Sequence, residues 1–380
     1  MIEADVRRPA ALSSEEIEAW RGFCAAEPVW RNPLLGPDFA QLVGEIRDDA
    51  RAAVFSRDGE PVGFLAFHQR PGGLARPIGS TFSDYHALIA APGERIDGRE
   101  ALRAAGLKAF RAHGMIDPKG AFHDIAEGRE IGYVIAPGPS LNAYLEGVRA
   151  AHPKHFKNWK RLRNKLEREH GELSLVADDA APDALELLLH WKREQLHRTG
   201  LHDVLRPAWA RALMDAVFAR RSGTLRGRMI TLRAGGRVVA GLFGPEANRI
   251  MHGWISAMDP DCASAGPGTV LLLKLAEAMP EAGIEACDLG PGHDHYKAPF
   301  ATDRIPVGEG LARAWRPTHA IAPETVRRHG FATRLQSRLD HIAAAELSMG
   351  GRMRGWVDAL AGYGRRARTR QDDGPRPTDA

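Results

Sequence analysis

The sequence predicts a mixed α+β fold built from two related units, and three observations lead there. Two β-hairpins are written into the chain, one over 51–68 turned at Asp58-Gly59 and one over 228–243 turned at Gly235-Gly236. Glycine there supplies the positive φ that such tight turns require. Behind each hairpin the same order recurs: extended chain, a helix, then a strand with a late aspartate, at 121–124 in the first half and 286–288 in the second. A repeat of this kind favours a duplicated unit over two unrelated domains, and 380 residues exceed what one ordinary core organises. The expected boundaries are 1–150 for the first unit, 151–320 for the second, 321–363 for a helical extension and 364–380 for a tail of disordered composition, Gly364-Arg-Arg-Ala-Arg-Thr-Arg370 onward.

The elements follow in order. Ser13-Ser14-Glu15-Glu16 is a capping-type helix start ahead of Trp20 and Phe23. Three prolines make 28–38 a loop, and a short amphipathic helix covers 39–46. After the first hairpin, a Gly/Pro/Arg-rich stretch over 69–80 leads into the polar and aromatic cluster Thr81-Phe82-Ser83-Asp84-Tyr85-His86. A helix is expected over 99–113, and strands over 121–125 and 133–135. The helix over 152–168 is strongly basic. Phe156, Trp159, Leu162 and Leu166 recur at three- and four-residue spacing and give it one packing face, with Lys154, Lys157, Lys160, Arg161, Arg163 and Lys165 around the rest. Such a helix is either a solvated bridge between units or an electropositive wall for an anionic ligand. A strand over 173–176, helices over 182–199 and 209–219, the second hairpin, and helical patterns over 324–347 and 352–360 complete the chain.

Composition narrows the class. A formal net charge of +4 is too mild to indicate a nucleic-acid binder. Cys24, Cys262 and Cys287 form no C-x-x-C pair, which argues against a zinc site or a disulfide framework. Cys287 lies in an apolar run and reads as a small core residue. The first sixteen residues show no apolar signal region, and no window reaches the ~18 apolar residues of a membrane span, so a reducing, cytoplasmic setting is expected. His293-Asp294-His295 superficially suggests a metal site, but adjacent loop residues point apart, and none is expected.

Residues 249–301 concentrate the chemistry: a strand, a glycine-rich turn, a helix, a second strand ending at Asp288, and a loop with Tyr296 and Lys297. Gly266 and Gly268, at alternate positions before the helix, let backbone approach a ligand, and the helix N-terminus then favours an anion such as a pyrophosphate. The turn lacks the Lys-Ser/Thr of a P-loop and is not G-x-G-x-x-G, so ATP and dinucleotides are disfavoured. Plainer roles also suit these residues: Asp288 as a turn cap, Lys297 as a surface lysine, Asp84 as a loop cap.

This strand–turn–helix–strand resembles the acetyl-CoA site of the GNAT acyltransferases, whose signature Gln/Arg-x-x-Gly-x-Gly/Ala reads here Ala263-x-x-Gly266-x-Gly268. The set His252-Gly253, Asp259-Pro260, Pro267-Gly268, Gly283-Ile284, Asp288-Leu289-Gly290-Pro291-Gly292 and Tyr296-Lys297 is similar to the CelD/BcsL-like GNAT family, best over residues 150–300 and more weakly over Ser83-Asp84-Tyr85. That resemblance implies two GNAT-like units, as in the FemABX transferases, and an acyl-CoA donor. It further implies N-acylation of an amino sugar or sugar-linked intermediate in bacterial exopolysaccharide production.

Amine acylation needs a proton acceptor, a proton donor for the leaving thiolate, and oxyanion contacts. The expected catalytic set is Asp288, Tyr296 and Lys297. The expected donor contacts are Met258, Gly266, Gly268 and Thr269, and the acceptor contacts Asp84, Tyr85 and His252, with no metal. Two other readings compete. One is a FemABX-like transfer from aminoacyl-tRNA, pointed to by the basic helix. The other is a regulator that binds cyclic di-GMP through Arg366 and Arg370 of the tail.

Overall fold

The computed structural model describes residues 2–122, 125–292, 296–315 and 339–357. Among the described residues, fourteen strands join in one sheet. They are β1 (Glu3–Arg7), β2 (Ala50–Arg57), β3 (Glu60–Arg70), β4 (Leu74–Pro77), β5 (Ile89–Ala90), β6 (Ala109–Met115), β7 (Ile125–Ile135), β8 (Leu173–Val176), β9 (Arg226–Ala234), β10 (Arg237–Ala247), β11 (Ile250–His252), β12 (Ile255–Met258), β13 (Ala286–Pro291) and β14 (Asp303–Arg313). The helices are α1 (Ser14–Ala26), α2 (Pro37–Ile46), α3 (Gly98–Ala104), α4 (Leu141–Ala151), α5 (Pro153–His170), α6 (Pro182–Arg198), α7 (Ala208–Ala219) and α8 (Pro267–Ala278). Strand order is β1-β2-β3-β4-β6-β14-β7-β13-β11-β10-β9-β8, with β5 on β3 and β12 on β10.

That order reads alike from both ends. Four antiparallel-then-parallel steps, β1-β2-β3-β4-β6, are matched by β8-β9-β10-β11-β13, and the parallel pairs β4–β6 and β11–β13 fall at equivalent places. The centre is an exchange. β14, from the second half of the chain, lies antiparallel on β6, while β7, from the first half, lies antiparallel on β13. β7 and β14 also pair with each other, so the two units share one continuous sheet.

Two cores flank it. The first gathers Trp20, Phe39, Phe55, Phe64 and Phe67 and runs on into α6 and α7 through Leu188, Trp209 and Leu213. The second holds Trp159, Leu162 and Leu166 of α5 and the apolar side of α8. In β10, Phe243 enters the first core and Leu242 the second, so α6 and α8 lie on opposite faces of the sheet. Trp159 stacks on Phe300 at 3.7 Å between ring centroids, which fixes α5 against the chain after β13.

Most expected elements form, with corrections. Ser13 and Glu16 close the foreseen capping box, Glu16 N–H donating to Ser13 Oγ (3.2 Å) and Ser13 N–H to Glu16 Oε2 (2.8 Å). The helix expected over 99–113 stops at Ala104. Gly106 takes φ 68°, and the Gly106 and Leu107 N–H groups close back on Arg103 and Leu102 as a Schellman cap. The chain then re-enters the sheet as β6, and β6 rather than 121–124 is the counterpart of β13. Ala121 and Phe122 are not strand, and Asp124 lies outside the described residues. The strand expected over 249–257 is broken at Gly253-Trp254. Of the C-terminal helices, 339–345 and 349–357 are described. The rest of them, His293-Asp294-His295 and the tail with Arg366 and Arg370 lie outside the described residues.

One buried polar contact sets the path into the site. His68 on β3 is fully buried. The Gly79 N–H donates to its Nε2 (2.9 Å), so Nδ1 carries the proton and lies 2.9 Å from Asp49 Oδ1. Gly79 opens the loop that delivers Asp84. Burial lowers the His68 pKa to about 4, and the His68 and Arg47 contacts hold Asp49 below the usual carboxylate range against its own desolvation. A histidine depressed in the folded state stabilises fully above its unfolded value near ~6.5, and loses that contribution as pH falls toward 4. Asp49, also depressed, acts in the same direction at lower pH. Unfolding free energy should therefore drop by about 2–3 kcal/mol between pH 6.5 and 4 from His68 alone. Urea titrations of wild type and His68→Gln check this; equal pH slopes for the two proteins would refute it.

Candidate active site

The site begins where backbone pairing ends. β11 and β13 run parallel in the register Ile250↔Ala286, Met251↔Cys287 and His252↔Asp288, and the last link is Gly253 N–H to Asp288 C=O at 2.8 Å. Beyond it the strands part. Trp254 N–H turns to Phe243 C=O (2.9 Å), and β12 continues on β10 alone, while β13 stays with β7. Gly244 makes this break possible: a Cβ there would stand 1.8 Å from His252 O. Asp259 N–H bonds Val239 C=O (2.9 Å), and alternation along an antiparallel pair then turns the N–H groups of Ser256 and Met258 away from β10, into the gap. Lys192 of α6 donates to one of the gap-facing carbonyls, Ser256 O, at 3.4 Å.

The gap opens a cavity of about 450 Å³ through the sheet. One wall is the turn before α8, with Gly266, Gly268 and Thr269. The Asp259 carboxylate accepts from Asp261 N–H (2.9 Å) to start a 3-10 turn over Pro260–Ala265, and Gly266 ends that turn at φ 61°. No acidic side chain sits in the first turn of α8. Basic helix α5 supports the turn from outside: Leu162 packs beside Gly266, and Lys165 Nζ donates to Ser264 O and Oγ, each at 3.1 Å. The opposite wall is the C-terminal half of α6, with Trp191, Lys192, Glu194, Gln195 and Arg198. Trp254, Leu289, Pro291, Tyr296 and Lys297 line the rest, and Asp84 enters from the first unit.

Behind Asp84 lies a closed polar network. His252 is fully buried, with Nε2 2.9 Å from Asp84 Oδ2 and Nδ1 3.0 Å from Asn32 Nδ2. Asn32 Oδ1 accepts from Leu34 N–H (3.0 Å), which fixes the amide so that Nδ2 faces the histidine. Nδ1 therefore accepts, and Nε2 carries the proton and donates to Asp84. The second Asn32 N–H reaches Asp288 Oδ2 at 3.0 Å. Asp288 Oδ1 takes the Tyr85 hydroxyl (2.9 Å) and the Gly290 N–H (2.8 Å). Three donors meet a carboxylate that can only accept. Burial still pushes the Asp288 pKa up, against the lowering influence of His252, the Gly290 N–H and the Tyr85 hydroxyl; burial, then the Asp288 and Asp84 charges, raise Tyr85 well above 10. Gly290, at φ 72°, leaves room for the acid: a Cβ there would lie 2.6 Å from Asp84 Oδ2.

The ten expected site residues thus divide. Asp84, Met258, Gly266, Gly268, Thr269, Tyr296 and Lys297 line the cavity. Tyr85, His252 and Asp288 are buried behind it and touch Asp84 or one another. Lys297 Nζ donates to Leu289 O (3.0 Å) and ties the loop to the end of β13. Asn32 was passed over as part of a three-proline loop; the Asn-Pro pair that caps the turn at Pro33–Leu35 was the available signal. The α6 wall was also missed, although Trp191, Glu194, Gln195 and Arg198 share one helical face.

Residues 153–298 match the family described as acetyltransferase (GNAT) domain. No curated protein matches the chain. Among solved structures, FemX is similar over 81% of this chain and 96% of its own, with a TM-score of 0.51 at 11% identity. A tandem GNAT protein from the clavulanic acid biosynthesis pathway is similar over 83% of this chain and all of its own, with a TM-score of 0.43 at 12% identity. The chain has a tandem GNAT-like, mixed α/β fold. Its second unit carries the matched domain.

The network makes Asn32 testable. Asn32→Leu removes the donors to His252 Nδ1 and Asp288 Oδ2 and leaves both acceptors buried, at about 1–3 kcal/mol each. Unfolding free energy from urea titration should fall by roughly 2–5 kcal/mol; a change below ~0.5 kcal/mol would show that the network does not hold this end of the sheet.

Proposed function

We propose that the protein is an acyl-CoA-dependent N-acyltransferase whose donor lies in the gap between β12 and β13. The observation that carries this is the conjunction at one break in the sheet: unpaired strand N–H groups, an uncapped glycine turn opening a helix, and the Asp84 carboxylate held at the cavity by His252. Ser256 and Met258 N–H groups suit the amide and thioester carbonyls of an extended donor. The N–H groups at the start of α8 suit its pyrophosphate. The donor supplies an activated acyl group, and the acyl–sulfur bond is exchanged for an acyl–nitrogen bond.

Asp84 then takes the proton of the attacking amine. This is the role expected of Asp288, which sits one layer deeper, with its oxygens occupied by three donors. His252 cannot relay that proton, because its Nε2 already bears one. It holds Asp84 in one orientation through the Nε2–H to Oδ2 hydrogen bond. Tyr296 stands at the cavity as proton donor to the departing thiolate, and Lys297 holds the Tyr296 loop to the cavity rim through Leu289 O. An amino sugar or sugar-linked intermediate of exopolysaccharide production is the proposed acceptor class; that part rests on the sequence resemblance.

Asp84→Asn should lower kcat for acyl transfer by about 100-fold or more while acetyl-CoA affinity by calorimetry stays near wild type. At Gly268 an added Cβ meets only Met258 Sδ at 3.9 Å, so the fold accepts a side chain there. Gly268→Trp should therefore fold and lose acetyl-CoA binding. Wild-type protein that binds no acyl-CoA refutes the proposal. The basic outer face of α5, with Lys154, Lys157, Lys160 and Arg161 exposed, favours a second reading, transfer from aminoacyl-tRNA. It requires tRNA binding that collapses when those residues are neutralised. Regulation by cyclic di-GMP would require binding lost on removal of 364–380.

A further inference from the structure

The α6 wall indicates what the acceptor must carry besides its amine. α6 crosses the sheet from β10 toward the gap. Leu188 Cδ1 lies 3.0 Å from the Cβ position of Gly241 on β10, and Lys192 Nζ reaches Ser256 O on β12. The next turns of α6 carry Gln195 and Arg198 past the unpaired edge of β12, over the opening, and both line the cavity. Because α6 and α8 lie on opposite faces of the sheet, this wall stands across the cavity from the glycine turn that suits the donor pyrophosphate, which leaves it to a second substrate.

The charges on the described lining residues are uneven. Lys192, Arg198 and Lys297 oppose Asp84 and Glu194. Glu194 lies 3.4 Å from His190 on the same helix, and Lys192 and Lys297 each hold a backbone carbonyl. Arg198 stands at the mouth on the exposed end of the wall, a planar guanidinium suited to bidentate contact with an oxyanion. A simple alkylamine or neutral amino sugar would leave this cation facing only water.

We infer that Arg198 selects an acceptor bearing an acidic group, a carboxylate or a phosphate, apart from the amine presented to Asp84. This rests on the acyltransferase reading of the cavity and narrows its second substrate to a zwitterionic amine. Arg198 would act by binding, with no part in bond making.

The test separates the two levels. Acetyl-CoA binding to wild-type protein is measured first by calorimetry; its absence removes the acyltransferase reading. In the presence of CoA, the affinities of glucosamine, glucosamine 6-phosphate and 2-amino-2-deoxyglucuronic acid are then compared. At least one acidic amine should bind about tenfold or more tightly than glucosamine, the one that does telling phosphate from carboxylate. Arg198→Ala should collapse that ratio toward one, and Arg198→Lys should restore part of it. Equal affinities, no binding of either acidic amine, or a ratio unchanged in Arg198→Ala would each overturn the inference while leaving donor binding intact.

Discussion

One backbone constraint governs the rest: two parallel strands cannot both stay paired and hold a ligand between them. β11 and β13 obey the first demand through His252 and Asp288, and the chain then abandons it. Abandoning it inside a protein strands hydrogen-bonding groups, and those lost to the ladder must find partners. Here Trp254 N–H finds Phe243 and Gly253 N–H keeps Asp288, while the groups of Ser256 and Met258 face the cavity. A site with unspent donors along a strand edge is therefore a direct product of where the pairing stops.

The fork must also be held at a fixed angle, and the polar network does this from behind. Its members come from four separated stretches: Asn32, Asp84–Tyr85, His252 and Asp288. Each buried acceptor is met by a donor, which offsets part of the desolvation that burial still imposes on Asp288 and specifies one geometry. The exchange of β7 and β14 between the units serves the same end. β7 lies beside β13, and Gly132 on β7 leaves the space that the Tyr85 hydroxyl fills; a Cβ there would sit 2.0 Å from that oxygen. The first unit thus delivers Asp84 to the cavity across a shared sheet rather than across a loose domain interface, whose mobility would defeat its placement.

Local physics made much of this legible in the sequence. The hairpins at Asp58-Gly59 and Gly235-Gly236, the capped helix at Ser13, the amphipathic basic helix and the glycine turn at 266–268 all depend on residues within a few positions of one another. What escaped depends on distant partners. Nothing near Asn32 announces His252 and Asp288 more than two hundred residues away. Asp288 read as a catalytic group because a strand-end aspartate beside a glycine looks the same whether three donors cover it or none. The Schellman close at Gly106 was local, yet it was overridden by the apolar periodicity of the residues after it, which belong to β6. The break at Gly253-Trp254 was hidden in an apolar run whose continuity says nothing of which neighbour each residue pairs with.

The two halves have diverged in what their equivalent parallel pairs enclose. In the second unit, β11 and β13 part around the cavity. In the first, β4 and β6 pair only at Leu74↔Ala109 and Ala75↔Phe110, and the chain from Ile78 to Tyr85 occupies the place beyond, with Phe82 and Tyr85 buried. His86 then returns to lie beside Met115 on β6. Filling that gap with its own backbone leaves no equivalent opening between β4 and β6 among the described residues and, by the same stroke, brings Asp84 to the cavity of the other unit. The repeated strand order has in this way used one unit's cleft as support for the cavity of the other. The acid is carried on the plug, and its position depends on how firmly the plug is packed.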